Sequence, residues 1–533
     1  MKQLRKIPFF TIFPIVSLIG LCIIMLVTVF VQAKTYGLTV DESLQNDYGH
    51  SSIAWYTSFG EDKSFLTAYP DVLFMPEHGA VFETFVAFVQ GLVGNEWYTR
   101  AVITALAGVS GVIAIALCGY ELAGWWGALL AALALWLYPR YFGAIFNNSK
   151  DIPFAAAMTW LLWSTLLLMK HWGNGKKSLR NSLLVGFLLG LATSIRVTAI
   201  IWFIILVLLA AGWWLLYGAR TQKEKRLFST LGKQASRGIV IGLVSLITMM
   251  LCWPYIFLNP VYNLYHSIII MGVYPWNNSI LYNGATYPAT HLPRSYVPTW
   301  LVVGSPPALI VFALVGIIAV SLILVRKRYI EGHIAVVLLA FLVPCCSLIA
   351  LRSVLYDGLR HFIFAIPPMI LIAVYGLTHL YRYLLAHKRK LIAFAMVGLT
   401  LVSYILVIAR MMDLHPYEYT YFSPIVGPQA VAWQNYQLDY WGTCEKEAGE
   451  WLAQNYQRYT NKPNPTATTI ASWDFLWQPY SPANFQVDAQ NPDFYIAFYP
   501  DDFSTFPTYK RIYTVSREDA PYCIVKVNPS AHR

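Results

Sequence analysis

Charge is scarce in this sequence. Asp, Glu, Lys and Arg make up 12% of its 533 residues, about half the share of an ordinary soluble domain. That shortage excludes a soluble globular chain of ordinary composition. The 57% hydrophobic content and a mean hydropathy of +0.50 instead make the bilayer the solvent for most of the fold. The net charge of +11 does not gather into a basic stripe. It lies in short loops between apolar runs, which argues against nucleic acid and fits a positive-inside topology. Cysteine is sparse too. Cys22, Cys118, Cys252, Cys345 and Cys346 fall in apolar runs, where cysteine is an ordinary core residue. No spacing of Cys and His has the form of a zinc site. Cys444 and Cys523 alone lie in polar sequence; an outer compartment permits a disulfide between them without requiring one. A clear internal repeat is also missing, which weighs against a transporter built from two related halves.

The long apolar runs carry the architecture. Lys2, Arg5 and Lys6 precede a run over 8–32, longer than the about 7–15 residues of a cleavable signal core, so it reads as an uncleaved anchor entering from the cytoplasm. Further spans are expected at 99–119, 122–138, 153–170, 181–195, 197–217, 239–258, 300–325, 333–351, 361–382 and 391–409, eleven in all. The pair at 181–217 is the weakest; as a re-entrant hairpin it would leave the remaining topology unchanged. Basic residues at 170–180, at 220–237 (Arg220 and Lys223 among them), at 326–328 and at 382–390 mark the cytoplasmic side. An odd number of spans puts the termini on opposite faces. The expected fold is therefore a polytopic α-helical membrane protein. A transmembrane catalytic domain is expected over 1–409, with a first extracytoplasmic loop at 33–98. Residues 410–533 hold no span. CEKEAGEWLAQNYQRY reads there as a helix, and DFYIAFYP and YCIVKV as strands, so an outer α/β domain is expected.

Ionisable residues collect at span ends on the outward side. The first loop opens LTVDESLQNDYGH, with Asp41 and Glu42 adjacent and Asp47 and His50 behind them; Asp71, Glu77, His78 and Glu83 follow. The second outward loop, YPRYFGAIFNNSKDIP, carries Arg140, Lys150 and Asp151, and the turn LRSVLYDGLRHFIF carries Tyr356, Asp357, Arg360 and His361. Charges clustered at several helix ends on one membrane face point to a site. Carboxylates can take a proton or hold a divalent cation, and Arg and Lys can hold a phosphate. The plain alternatives are specific. Asp151 reads equally as the N-cap of a helix with Pro153 in its first turn, Lys150 can snorkel to headgroups, and Asp47 rivals Asp41 as a base. Arg196, in ATSIRVTAI between two apolar runs, is costly in lipid unless paired and ranks below Arg360 as a site residue. The aromatic segments between 253 and 288 suit either sugar or prenyl contact or loop packing. The NNS sequences at 147–149 and 277–279 are formal sequons, read as incidental.

The DE pair in the first outward loop, the later acid before a span and about a dozen spans resemble the GT-C glycosyltransferases, among them protein O-mannosyltransferases and lipid A aminoarabinose transferases. RYFGAIFNNSKDIPFA, YDGLRHFIFAIPP and HPYEYTYFSPIVG…YQLDYWGTCEKEAGEWL are similar to a bacterial branch related to glycosyltransferase family 39. The resemblance implies sugar transfer, with inversion, from a polyprenyl-phosphate donor to a lipid, glycan or protein acceptor at the outer face of a bacterial plasma membrane. It implies Asp41 as base, Glu42 as its partner and Asp151 as second acid. Lys150, Arg140, Arg360, His361 and Tyr356 are the expected substrate and phosphate ligands, chosen mainly by charge and side. No cofactor is implied. A divalent cation is compatible with the acidic pairs, and two carboxylates also work without one. The alternative function is a lipid or polysaccharide transporter or flippase.

Overall fold

The computed structural model describes residues 9–67, 75–172, 175–217, 224–327, 331–498 and 503–531. Asp71 and the basic residues at 2, 5, 6, 220, 223 and 328 lie outside these.

Helix α1 (Phe9–Gln32) is followed by α2 (Glu42–Thr57) and α3 (Val81–Val93) of the first loop, then α4 (Glu96–Trp136). Two predicted spans fall on α4, and its backbone leaves the helical region at Ala123 and Gly124. A Cβ on Gly119 would collide with the carbonyl of Gly127. Residues eight apart stand about 12 Å apart in a continuous helix, so α4 is two helices folded back on each other, and Gly124, at φ +68°, supplies the reversal. The short α5 (Pro139–Ala144) leads to α6 (Asp151–Lys170), α7 (Gly175–Thr193), α8 (Ile201–Tyr217) and α9 (Glu224–Cys252). Two further helices, α10 (Pro254–Leu258) and α11 (Pro260–Gly272), precede a hairpin, β1 (Ser279–Tyr282) with β2 (Ala285–Pro288). Asn283 and Gly284 both have positive φ there, as a two-residue hairpin turn needs.

The predicted span 300–325 is instead split. A short α12 (Tyr296–Val303) ends before Pro306, and α13 starts at Pro307 (Pro307–Lys327), because proline cannot continue a helix from its preceding turn. Then come α14 (Gly332–Leu351), α15 (Ile366–Ala386), entered through a 3-10 turn at Arg360–Ala365, and α16 (Lys390–Leu414). The other predicted spans fall mainly on helix, with a further break at Trp253 between α9 and α10, and among the described residues eight helices are long and apolar enough to cross a membrane. The chain is a polytopic helical membrane protein. Helices α1, α9, α13 and α16 expose Ile, Leu and Val along their lengths, as lipid-facing helices do, while α6 and α15 are mostly buried. Helices α13 and α15 approach through Gly316 and Gly376; a Cβ on either would meet the other helix's backbone, the small-residue contact favoured in bilayers.

Beyond α16 the chain forms α17 (Gln429–Asn435), α18 (Glu445–Asn455) and strands β3 (Thr466–Thr469), β4 (Gln486–Val487), β5 (Phe494–Ala497), β6 (Lys510–Arg517) and β7 (Ala520–Val527). The sheet order is β4-β3-β5-β7-β6. β3 runs parallel to β4 and β5, and β7 antiparallel to β5 and β6. The expected helix and strands appear here, and Cys444 is disulfide-bonded to Cys523, joining the start of α18 to β7.

Candidate active site

Asp41 sits where α1's exit segment turns into α2. That segment is held from the far end of the chain. Val40 donates its N–H to the Trp441 carbonyl at 3.0 Å, and Tyr36 donates to Glu418 Oε2 at 2.7 Å. Gly37 lies so close to the Thr443 carbonyl that no Cβ fits. Glu42 Oε2 accepts the Thr39 N–H at 3.0 Å, which ties the first residue of α2 back to the segment before it. Its other oxygen faces Arg100 Nε at 3.5 Å. Arg100, fully buried, also pairs with Glu83 at 2.8 Å and donates to Ser149 Oγ at 2.6 Å. Glu42 therefore fixes the start of α2, whereas Asp41 points away from this network.

The second loop delivers Asp151 as the first residue of α6, but Asp151 is not the cap. Asn148 Oδ1 accepts the N–H groups of Lys150 at 3.2 Å and of Asp151 at 2.8 Å. Asn148 Nδ2 also donates to Asp151 Oδ2 at 2.9 Å, and the same carboxylate pairs with Arg196 Nη2 at 2.5 Å and Arg360 Nε at 3.4 Å. Lys150, beside it, is buried.

Arg360 is the hub. It donates to Asp41 Oδ2 at 2.7 Å and Asp357 Oδ2 at 2.8 Å, besides its contact with Asp151. Its guanidinium lies over the rings of Tyr356 and Trp441, at 5.5 and 5.4 Å. Asp357 adopts φ +55° and Gly358 φ +70°, and that tight reversal turns the Asp357 carboxylate back onto Arg360. Of these side chains Arg360 is 9% exposed and Asp41 45%, so Asp41 is the carboxylate of the cluster that an incoming molecule meets. Among the described residues, no group of three or more His, Cys, Asp and Glu side chains is placed to hold a metal ion.

Burial governs the titration here. It pushes Glu42 up to about 7 against the opposing pull of Arg100, and it pushes Asp357 up to about 7 against Arg360. Burial, and secondarily Arg196, lowers Lys150 to about 7. The buried His78 is held well below its usual range, mainly by desolvation and then by Lys150 and Arg196.

A cavity of about 590 Å³ opens beside the cluster. Its walls are mostly apolar, from residues such as Ile201, Ile204, Met271, Leu348, Leu351 and Phe364, and its polar groups include His78, Arg196, Tyr274, Tyr356 and His361. Arg196 belongs to both places, lining the cavity and pairing with Asp151. Tyr356 stacks on Trp276 at 4.1 Å and holds His361 edge-on at 4.3 Å.

The structure thus gathers Asp41, Asp151, Arg360, Tyr356 and His361, and sets Glu42 and Lys150 just behind them. Arg140 is elsewhere: it is buried between Trp300 and Phe422, at 4.9 and 4.8 Å, and donates Nε–H to the Tyr421 carbonyl at 2.8 Å. Asp47 is exposed on α2, and His50 stands 3.7 Å from Glu96. Asp357 and Arg196 join the cluster although sequence reasoning left them out of the site. Their signals were present, in the YDGLRH turn and in a charge flanked by apolar runs. Trp441 had no such signal, since its role depends on contact with residues 400 positions away.

No family model matches this chain, and no curated protein does. Solved structures do. The chain is similar to the crystal structure of ArnT from Cupriavidus metallidurans bound to undecaprenyl phosphate, at a TM-score of 0.52 and 14% identity, over 97% of this chain and 99% of that one. It is also similar to the oligosaccharyltransferase of Archaeoglobus fulgidus in the apo form, at a TM-score of 0.50 and 13% identity, over 86% of this chain and 62% of that one. At these identities the likeness establishes a shared architecture.

Proposed function

From the premise that the chain has the GT-C fold, we propose that it moves a sugar from a polyprenyl-phosphate donor to an acceptor hydroxyl at the outer face of the membrane, with inversion. One observation carries the reading: a mostly apolar cavity of about 590 Å³ whose polar residues include Glu77, His78 and Arg196, Arg196 being itself paired to Asp151 of the Asp41 cluster. A prenyl chain fits the apolar walls. Its phosphate would lie against Arg196, Tyr356 and His361, where a planar guanidinium suits phosphate oxygens. That ArnT binds undecaprenyl phosphate supports the same ligand class here.

In the reaction, the acceptor oxygen forms a bond to the anomeric carbon as that carbon's bond to the phosphate oxygen breaks. The acceptor's proton passes to the Asp41 carboxylate, and the lipid phosphate leaves with the bonding pair. Arg360 orients Asp41, and Arg196 stabilises the departing charge. A positioned base contributes about 10²–10⁴-fold, and preorganised cations at the developing phosphate add to it. Glu42 is assigned to anchoring through Arg100 and Arg140 to packing, while Lys150 remains at the site edge. The N-terminus is assigned to the cytoplasm, residues 1–409 to the membrane catalytic domain and 410–533 to an extracytoplasmic domain, in a bacterial plasma membrane.

The test is turnover by purified protein in lipid nanodiscs, given polyprenyl-phosphate sugars and cell-envelope acceptors. Acceptor-dependent release of polyprenyl phosphate by the wild type, and its loss by at least about 100-fold in Asp41→Asn, is the expected result. Full activity in Asp41→Asn removes Asp41 from the chemistry. Tight lipid binding without turnover favours a transporter.

A further inference from the structure

A second, much smaller cavity adjoins Asp41 on the protein side. Its lining includes Thr39, Asp41, Gln45, Asn147, Lys150 and Trp441, and its volume is about 10 Å³, room for one water-sized group. Two of its lining residues are costly. Asn147 is 2% exposed, and neither its Nδ2 nor its Oδ1 has a hydrogen-bond partner among the described residues. The Nε1 of Trp441, also buried, has none either. A buried polar group left unpaired is costly to a fold, and native proteins hold few of them without a reason. A leucine at 147 would avoid the cost.

The chemistry of these orphans selects the ligand. Asn147 Oδ1 needs a donor, and Asn147 Nδ2 and Trp441 Nε1 need an acceptor. A phosphate or carboxylate would leave Oδ1 unpaired and would face the Asp41 carboxylate. An ammonium would leave both N–H groups unpaired and would face Lys150. A neutral hydroxyl both donates and accepts. The reacting acceptor oxygen has to stand between Asp41 and the anomeric carbon, so it cannot also occupy this recess. We propose that the recess is a subsite for one further hydroxyl, carried by the sugar being transferred, and that Asn147 and Trp441 read it. The inference rests on the sugar-transfer reading and sharpens it: the chain is selective for a sugar bearing a hydroxyl at one ring position. A site built to hydrogen-bond a hydroxyl rejects the analogue lacking it by as much as about 10⁴–10⁵-fold.

The test compares wild type with Asn147→Leu in nanodiscs, using polyprenyl-phosphate-linked hexoses and pentoses and each of their monodeoxy analogues, with one acceptor throughout. Wild type should discriminate against one monodeoxy analogue by at least about 100-fold in kcat/KM. In Asn147→Leu the parent sugar should lose activity and the ratio should fall below about tenfold, while the variant unfolds at the same or a higher temperature and binds polyprenyl phosphate as before. An unchanged ratio, or an equal loss on every sugar, overturns the subsite. An unchanged ratio with a lower unfolding temperature identifies the occupant as a structural water and also overturns it. If wild type binds polyprenyl phosphate but turns over no sugar in the panel, the transfer reading falls and this inference falls with it. Turnover without the Asn147-dependent ratio removes this inference alone.

Discussion

Replacing Arg360 tests the hub directly. Its contact with Asp357, at 2.8 Å, joins two buried groups; at an effective dielectric of about 20 the Coulomb attraction there is about 6 kcal/mol before desolvation. The desolvation cost offsets much of this, but removing one partner of a buried pair typically costs about 3–5 kcal/mol, because the other charge stays behind unpaired. Asp41 is exposed enough that its pair with Arg360 adds no more than about 1 kcal/mol. Burial holds Asp357 at about 7, so the comparison is made near pH 9, where Asp357 is ionised beside Arg360; there Arg360→Met should destabilise by about 3 kcal/mol and abolish turnover, since Asp41 loses its orientation. Adding Asp357→Asn to Arg360→Met should restore about 1–3 kcal/mol, because a neutral amide no longer demands the cation, without restoring turnover. Arg360→Lys keeps the charge but lacks the fork that reaches several carboxylates, and should fall between the two. Denaturant unfolding in detergent, followed by tryptophan fluorescence, gives the four stabilities, and polyprenyl phosphate release gives the activities. If Arg360→Met is as stable as wild type, or if the double variant is no more stable than Arg360→Met, the ion-pair hub is refuted.

Three further predictions follow from other parts of the molecule. Because burial raises Glu42 to about 7, the folded chain keeps a proton that the unfolded chain releases, so this group makes stability fall as pH rises from about 4.5 to 7, by up to about 3 kcal/mol; Glu42→Gln should remove that part of the slope in pH-resolved unfolding curves. Lys150 acts with the opposite sign in a higher window. Its lowered value makes stability rise from about pH 7 towards 10.5, and Lys150→Met should flatten the curve there. Gly37→Ala should cut activity at least about tenfold, because its Cβ forces the Asp41 segment off the Thr443 carbonyl; wild-type turnover in that variant would show that the contact does not position Asp41.

Most of the fold was legible because apolar runs of bilayer length leave few alternatives. The hairpin within α4 was legible as two spans, since ELAGWWG interrupts the run at a glycine. The break before α13 was not, because the apolar run continues through Ser305-Pro306-Pro307 and hydropathy ignores proline's missing donor. At the site, Asp41 and Arg360 stood out as charges at span ends. Their geometry did not: nothing in one dimension says that Asn148 rather than Asp151 caps α6, or that Arg140 lies in an aromatic box rather than facing substrate. Local spacing encodes caps and turns, whereas pairings such as Arg360 with Asp41, 319 positions apart, exist only after packing.

The hold of Trp441 on Val40 also sets an order in time. Asp41 leaves the ribosome among the first residues of the chain, but the carbonyl that pins its segment, and the cysteine that fastens α18 to β7, are made some 400 and 480 residues later. During synthesis the first loop therefore stands beside the membrane with its carboxylate unaimed. The surroundings of Asp41 are thus completed only when the far end of the chain has been made.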